Sequence, residues 1–481
     1  MSSASIRAVT LLSLLAFMTA CGGGGGSGTP PPSLPPTNLS YATDPAFYRV
    51  GTAITPNTAT TQGGAPTTYG VTPALPTGLS LDQTTGTISG TPSAEAGSTD
   101  HTITASNAAG QTTTDVTVTV GAALPSAMAS LVDGFNAEVV LEPGLPSPAK
   151  IAKFARVPGD GRIFYLETDT GNVRVWVPGT GAGTGLQATP FATLSVLQGG
   201  HMGLLGLTLA PDFATSGHVY VMACVPGDMM EMTVDRMQVV RFTDVNNVGT
   251  NRTVVLDDLP VAPPGGINNG GEILFDNDGM LLVSIGDIQD PNNSQAASST
   301  SLAGKLLRYD VSTGTATVPV DNPTSADPEW CRGLRNTFGI AVHPTSDGIF
   351  GVDNGPAADD ELNFMQPGKN FAWGGTPPAP DVGFKIRNWQ TVIVPTAICW
   401  HDGTGWGAEY ANDLFLATYE DHTLERFEMS GTSFTDIDRE SEFCRFIVSG
   451  TSNHPLDVCV ASDGSIYIST FTGIYRITKI P

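Results

Sequence analysis

Positive charge is scarce in this 481-residue chain: 22 lysines and arginines face 46 aspartates and glutamates, a net charge of −24. No basic stretch could neutralise a phosphate backbone, so nucleic acid is excluded as a partner. Long apolar runs are also missing. The N-terminal one, Ala8 to Met18, is too short to cross a bilayer. Cysteine is rare, with six residues and no CxxC spacing, so neither a zinc ribbon nor a dense disulfide framework is encoded. Helical periodicity seldom lasts beyond two turns, which argues against a helical fold.

What remains is rich in turns and strands. Gly (56), Pro (36) and frequent Thr and Val indicate an all-β chain, long enough for two or three units. Arg7, the apolar run and Thr19-Ala20-Cys21 read as an export signal over residues 1–21. The small residues before Cys21 resemble a bacterial lipobox, with Met18 where leucine is usual. That resemblance implies lipidation at Cys21 and a bacterial outer-membrane or cell-surface lipoprotein on the periplasmic or extracellular side. Membrane contact would then be through the lipid anchor only; a plain secretory signal is the alternative. Five cysteines follow Cys21, an odd number, and several sit in apolar strand-like runs as small buried hydrophobes.

Residues 22–37, GGGGGSGTPPPSLPPT, read as a tether. Residues 38–121 are Thr-rich and end in the alternating TTTDVTVTV from Thr112 to Val120, a half-buried strand pattern. The phrases VTPALPTGLSLDQTTGTISGTP (Val71 to Pro92) and ASNAAG (Ala105 to Gly110) resemble immunoglobulin-like modules of bacterial surface proteins, which implies a β-sandwich spacer or adhesion unit. Residues 122–133 read as a second linker. From residue 134 to 481 a turn followed by an apolar strand recurs six times, at Gly161, Gly217, Gly279, Gly348, Asp413 and Gly464, at intervals of roughly 50 to 70 residues. That spacing fits four-stranded sheets and predicts a six-bladed β-propeller, with the strand at Ile474 to Ile480 pairing one near Asn136 to Leu141 to close the ring. The loops at one end of its channel are where a site belongs.

The densest set of polar phrases lies between Gly333 and Gly374: GLRNTFGIAVHP, DNGPAADDELN and PGKNFAWG. With GLLGLTLAPDF (Gly203 to Phe213), NGGEILFDNDGMLLVSIGD (Asn269 to Asp287) and SLAGKLLRYD (Ser301 to Asp310), they resemble the soluble glucose/sorbosone dehydrogenase family. The resemblance implies a propeller that holds pyrroloquinoline quinone with Ca2+ and oxidises a sugar or sugar-derived aldehyde, passing electrons to an acceptor the sequence does not identify. It implies that Arg335 and Asn336 approach the quinone oxygens and that the carbonyls of Gly355 and Pro356 bind the calcium. Asp359, Asp360 and Glu361 offer carboxylates for a possible second calcium, or form a solvated acidic loop.

Three positions depart from the family. The base, a histidine opening His-Asn-Gly-Gly, is replaced by Asn268, an amide that cannot take up a proton near neutral pH. Ahead of GLLGL stands His201, where Gln or Glu is common; it is a candidate substitute base, or a histidine packed at a blade edge. Near the C-terminus an Arg-x-Arg-Asp phrase becomes His454, Leu456 and Asp457, leaving His454 as the candidate contact to the cofactor. Asp287 reads as a blade-stabilising acceptor, and His401 as a residue near an aromatic-rich loop. Two functions follow: an exported quinoprotein oxidoreductase with a relocated base, or a noncatalytic surface propeller that binds carbohydrate or protein.

Overall fold

The computed structural model describes residues 33–142, 150–179, 185–228, 233–448 and 453–481. The export signal, Cys21 and most of the tether lie outside the described residues. Among them, helix is confined to Phe213–Ser216, Pro291–Gln295 and two 3₁₀ turns, so the chain is almost entirely β.

Six antiparallel sheets form the expected propeller. Their inner strands are Ile151–Arg156 (blade 1), Leu204–Leu209 (blade 2), Gly270–Phe275 (blade 3), Thr337–Val342 (blade 4), Pro395–Asp402 (blade 5) and Pro455–Val460 (blade 6). Each of the six turn phrases leads into the second strand of a blade. These second strands read as unbroken apolar runs because both of their faces are covered. In His218–Val225, Val219, Val221 and Ala223 pack toward blade 1, whereas Tyr220, Met222 and Cys224 pack toward blade 3. All six blade–blade junctions hold such an apolar cluster.

The ring closes as predicted. Phe135–Leu141 is the outermost strand of blade 6, antiparallel to Ile474–Lys479, with Phe135 opposite Lys479 and Ala137 opposite Ile477. Phe135 is fully buried among Trp406, Tyr410 and Phe443 in edge-to-face contacts, the closest at 4.6 Å.

Two boundaries move. The first strand, Pro36–Tyr41, begins inside the segment assigned to the tether, and the assigned linker 122–133 contains Met128–Leu131, a fifth strand on the edge of blade 5. Met128 and Leu131 bury themselves against Phe443 and Phe446, and that apolar contact makes a strand of a stretch that looks like a connection. The five described cysteines are free; four are buried and Cys459 is half-buried, in agreement with their apolar surroundings.

The N-terminal module is a β-sandwich whose larger sheet runs Ala46–Arg49, Gly110–Gly121, Ala96–Asn107, Thr68–Thr72. The Thr/Val alternation points Val116, Val118 and Val120 into a core with Ile88 and Ile103. Its Arg49 guanidinium donates to the Leu131 and Phe135 carbonyls, both at 3.1 Å, and the Asn136 side chain accepts from Ala122 N at 2.7 Å. Phe135 begins the outer strand of blade 6, at the end of the ring where the inner strands finish, so the module docks on the face away from their starts.

The channel is closed across its middle by charge. Lys153 of blade 1 donates to Glu272 of blade 3, to Asp457 of blade 6 at 3.4 Å and to the Phe338 carbonyl of blade 4 at 3.3 Å. All three charged side chains are buried. Burial acts to lower the Lys153 pKa, but Asp457 and Glu272 outweigh it and hold the ammonium above its usual value. Burial, with the negative charge of Asp457, pushes Glu272 up to about 7 against the opposing pull of Lys153.

Folded protein therefore keeps the Glu272 proton to higher pH than unfolded chain, whose ordinary value is 4.5. The Glu272 contribution to stability is full below that value and is lost as pH rises through about 7. Glu272→Gln is expected to flatten the fall in melting temperature between about pH 5 and about pH 8. Removing the lysine as Lys153→Ala leaves two carboxylates unpaired and lowers unfolding free energy by about 3–5 kcal/mol, measurable by urea denaturation.

Candidate functional site

Register decides which loops meet. Gly270 lies opposite Ile285, Thr337 opposite Asp353, Pro395 opposite Thr418 and Pro455 opposite Thr470. Every inner strand thus starts where its neighbour ends, and residues just before the former face residues just after the latter. Asn268 meets Asp287, Arg335 and Asn336 meet Asn354 and Gly355, and His454 meets Tyr419 of the next blade, all at one mouth of the channel.

Asn268 is buried, with φ at 63°, a left-handed conformation that asparagine tolerates well. Its Nδ2 donates to Asp287 Oδ1 at 2.9 Å; the other oxygen, Oδ2, accepts from Trp373 Nε1 at 2.8 Å. Asp287 is thus more than the blade-stabilising acceptor read from the sequence. It anchors the side chain at the position of the family base and a tryptophan from the blade 4 connection. The SIGD phrase gave its place at a strand end, but not its partner.

Asp353 shapes the next part. Its carboxylate accepts from Arg335 N (2.9 Å), Asn336 N (2.7 Å) and Thr337 Oγ1 (3.1 Å), which holds the Arg-Asn turn against the end of the second strand. Burial and the nearby Glu361 raise its pKa to about 7 despite these donors. Arg335 Nη1 donates to the carbonyls of Asn354 (2.8 Å) and Gly355 (3.0 Å), and the guanidinium lies 5.6 Å from the Trp373 ring centroid. Asn336 Oδ1 accepts from Gly270 N at 3.1 Å, so its Nδ2 is left as an uncommitted donor.

The acid triplet does not converge. Asp360 and Glu361 are neighbours on the strand Asp360–Phe364 and point to opposite faces. Asp360 accepts from the backbone N–H of Gly355, Ile393 and Val394, each at 2.8 Å; Glu361 pairs with Lys385; Asp359 is exposed. Among the described residues no group of three or more His, Cys, Asp or Glu side chains is placed to hold a metal. Asp360 serves instead to staple the Gly355-Pro356 turn. Reading DELNF as a strand would have revealed this.

His401 is fully buried away from the mouth. It stacks on Trp406 at 4.3 Å, accepts from Gly403 N through Nδ1 and donates through Nε2 to the Gly464 carbonyl. His454 is buried and stacked on Tyr419 at 3.8 Å; its Nδ1 and that of His422 both donate to the Tyr419 carbonyl. His201 is exposed at the mouth, and its ring makes no hydrogen bond among the described residues. The partly desolvated setting of the ring, then the charges of Arg335 and Lys150, lower its pKa below the ordinary 6.5.

Those two cations stand out in a chain of this charge. Neither Arg335 nor Lys150, whose Nζ lies 5.1 Å over the Phe471 ring, is within salt-bridge distance of a carboxylate among the described residues. Two carbonyls converge on one cationic nitrogen, and the buried Asn354 Oδ1 has no partner. The mouth therefore offers unpaired cationic groups to an anionic ligand.

Comparison with known proteins gives the family and the fold. The family model described as glucose/sorbosone dehydrogenase matches residues 148–474, and an Ig domain model matches residues 31–121. The aldose sugar dehydrogenase YliI of Escherichia coli (strain K12) is 29% identical over 343 residues, 67% of this chain and 87% of that protein. A Thermus thermophilus protein described as an oxidoreductase of glucose dehydrogenase type superposes with a TM-score of 0.57 at 28% identity, over 72% of this chain and 100% of that one. The quinone-bound aldose sugar dehydrogenase of Streptomyces coelicolor shares the fold, with a TM-score of 0.57 at 21% identity over 73% of this chain and 99% of that one.

Asp287→Ala strands the buried Asn268 amide and the Trp373 indole N–H. A loss of about 1–3 kcal/mol for each group left unpaired is expected in denaturant unfolding, with a shifted Trp373 emission as the local sign.

Proposed function

The chain belongs to the glucose/sorbosone dehydrogenase family, and on that premise we propose that it is an exported quinoprotein oxidoreductase acting on a sugar or sugar-derived aldehyde. The observation that carries this reading is the mouth itself: in a strongly acidic protein, Arg335 and Lys150 stand without carboxylate partners beside carbonyls that converge on positive charge. Bound there with calcium, pyrroloquinoline quinone supplies the two-electron acceptor for hydride. Arg335 and Asn336 offer uncommitted N–H groups to its oxygens, while the carbonyls of Pro356 and of Gly355, the latter released from Arg335, would hold the calcium. His201 is the base. Its ring is free, exposed and held neutral near physiological pH, so it can accept the substrate hydroxyl proton.

Export and a lipid anchor at Cys21 complete the reading. The immunoglobulin-like module docks on the opposite face from the mouth, so a tether at the N-terminus leaves the site open to solutes.

One observation favours the second reading, a noncatalytic binding propeller. At the position of the family base, Asn268 donates to Asp287 and has no basic nitrogen to offer. Asn268→His separates the two, because histidine also accepts a left-handed backbone.

Calorimetry with quinone and calcium is expected to show saturable binding, and dye-linked assays oxidation of an aldose. Activity should fall only at pH values below histidine's ordinary 6.5, and His201→Ala should abolish it while leaving quinone binding intact. Binding without turnover, restored by Asn268→His, would establish the binding propeller; no quinone binding at all would sink both cofactor and enzyme readings.

A further inference from the structure

A second groove lies between blades 6 and 1, away from the mouth, and encloses about 420 Å³. Register explains its making. Arg156 ends the first strand of blade 1 opposite Ile163, which pairs in turn with Trp176, so arginine and tryptophan stand in one row facing blade 6. Tyr467 of blade 6 forms the opposite wall, its ring 5.3 Å from the Arg156 guanidinium and 5.9 Å from that of Arg476. Gly159 and Gly161, both at positive φ, keep the floor low; a Cβ at position 161 would lie 3.4 Å from Arg156 Nη2.

The two arginines differ. Arg476 is bound to Glu138 at 3.1 Å and Asp463 at 2.8 Å. Arg156 has neither a salt bridge nor a hydrogen bond among the described residues, and its buried Nε is unpartnered. A planar guanidinium with free donors prefers a carboxylate, which it grips through two parallel N–H bonds. The half-buried Trp176 offers its ring to the C–H face of a sugar, whereas the buried Tyr467 is already covered by the Arg156 guanidinium. Glu138 and Asp160, both on the rim, are acceptors for ring hydroxyls. One ligand class presents all three features: a carboxylate at one side, an apolar ring face and hydroxyls at the other edge.

We propose that this groove is a binding site for uronic acid residues, as they occur in acidic polysaccharides, separate from the channel mouth and independent of the reading given to it. Arg156, held over the Tyr467 ring, takes the carboxylate, Trp176 packs the sugar ring, and Glu138 and Asp160 accept its hydroxyls.

Titration of the full chain with galacturonate, followed by calorimetry and by saturation-transfer NMR, is expected to show weak saturable binding. Arg156→Ala should weaken it about tenfold or more, because a charge-assisted pair is lost, and Arg156→Lys should recover only part of it. Trp176→Ala should remove the ring-proton transfer signal, with a retained cooperative unfolding transition as proof that each variant is folded. Galactose should not bind, nor should acetate compete at equal concentration. Binding that survives Arg156→Ala, no binding of galacturonate, or equal binding of acetate would each overturn the proposal.

Discussion

Closure of the ring is the constraint on which everything else rests. The strand Phe135–Leu141 precedes blade 1 in sequence but completes blade 6, where it pairs with Ile474–Lys479. The two ends of the propeller are thereby locked to each other across more than three hundred residues. Only a closed ring fixes the angle between neighbouring blades. That angle in turn decides which loops converge at the channel mouth, and Phe135, buried in an aromatic cluster, is the residue that seals it.

The channel shows how a ring of apolar interfaces tolerates polar groups at its axis. Lys153, Glu272 and Asp457 come from three blades and pair with one another while buried in the channel. An ion set of this kind adds little net stability over an apolar filling, but it penalises any shift that would separate its members. It therefore registers blades 1, 3 and 6 against each other, directly beneath the mouth. The mouth has the opposite character: Arg335 and Lys150 have no carboxylate partner among the described residues, and two backbone carbonyls accept from Arg335.

Asn268 and His201 pull the functional reading in two directions, and the geometry ties them to one place. The Asn268–Asp287 hydrogen bond keeps an orienting carboxylate beside the position of the family base, while the imidazole of His201 stands free at the rim. The immunoglobulin-like module is clamped by Arg49 to backbone carbonyls at the other end of the ring, away from that mouth.

Much of this was legible from the chain alone. Repetition of a turn and an apolar strand determined six blades, because each second strand is buried on both faces and must read as a continuous apolar run. The Thr/Val alternation determined a one-sided strand in the N-terminal module for the converse reason. Phrases such as GLRN and DNGP marked the mouth, since strand ends and turns hold little apolar sequence to obscure them. What tertiary structure alone decided was partnership. That Met128–Leu131 is a strand, that Asp360 staples amides instead of joining Glu361 at a metal, that Asp287 holds Asn268, and that His401 is packed against Trp406 all depend on residues distant in sequence. Local pattern specifies which face a side chain occupies; only the closed ring specifies what it meets there.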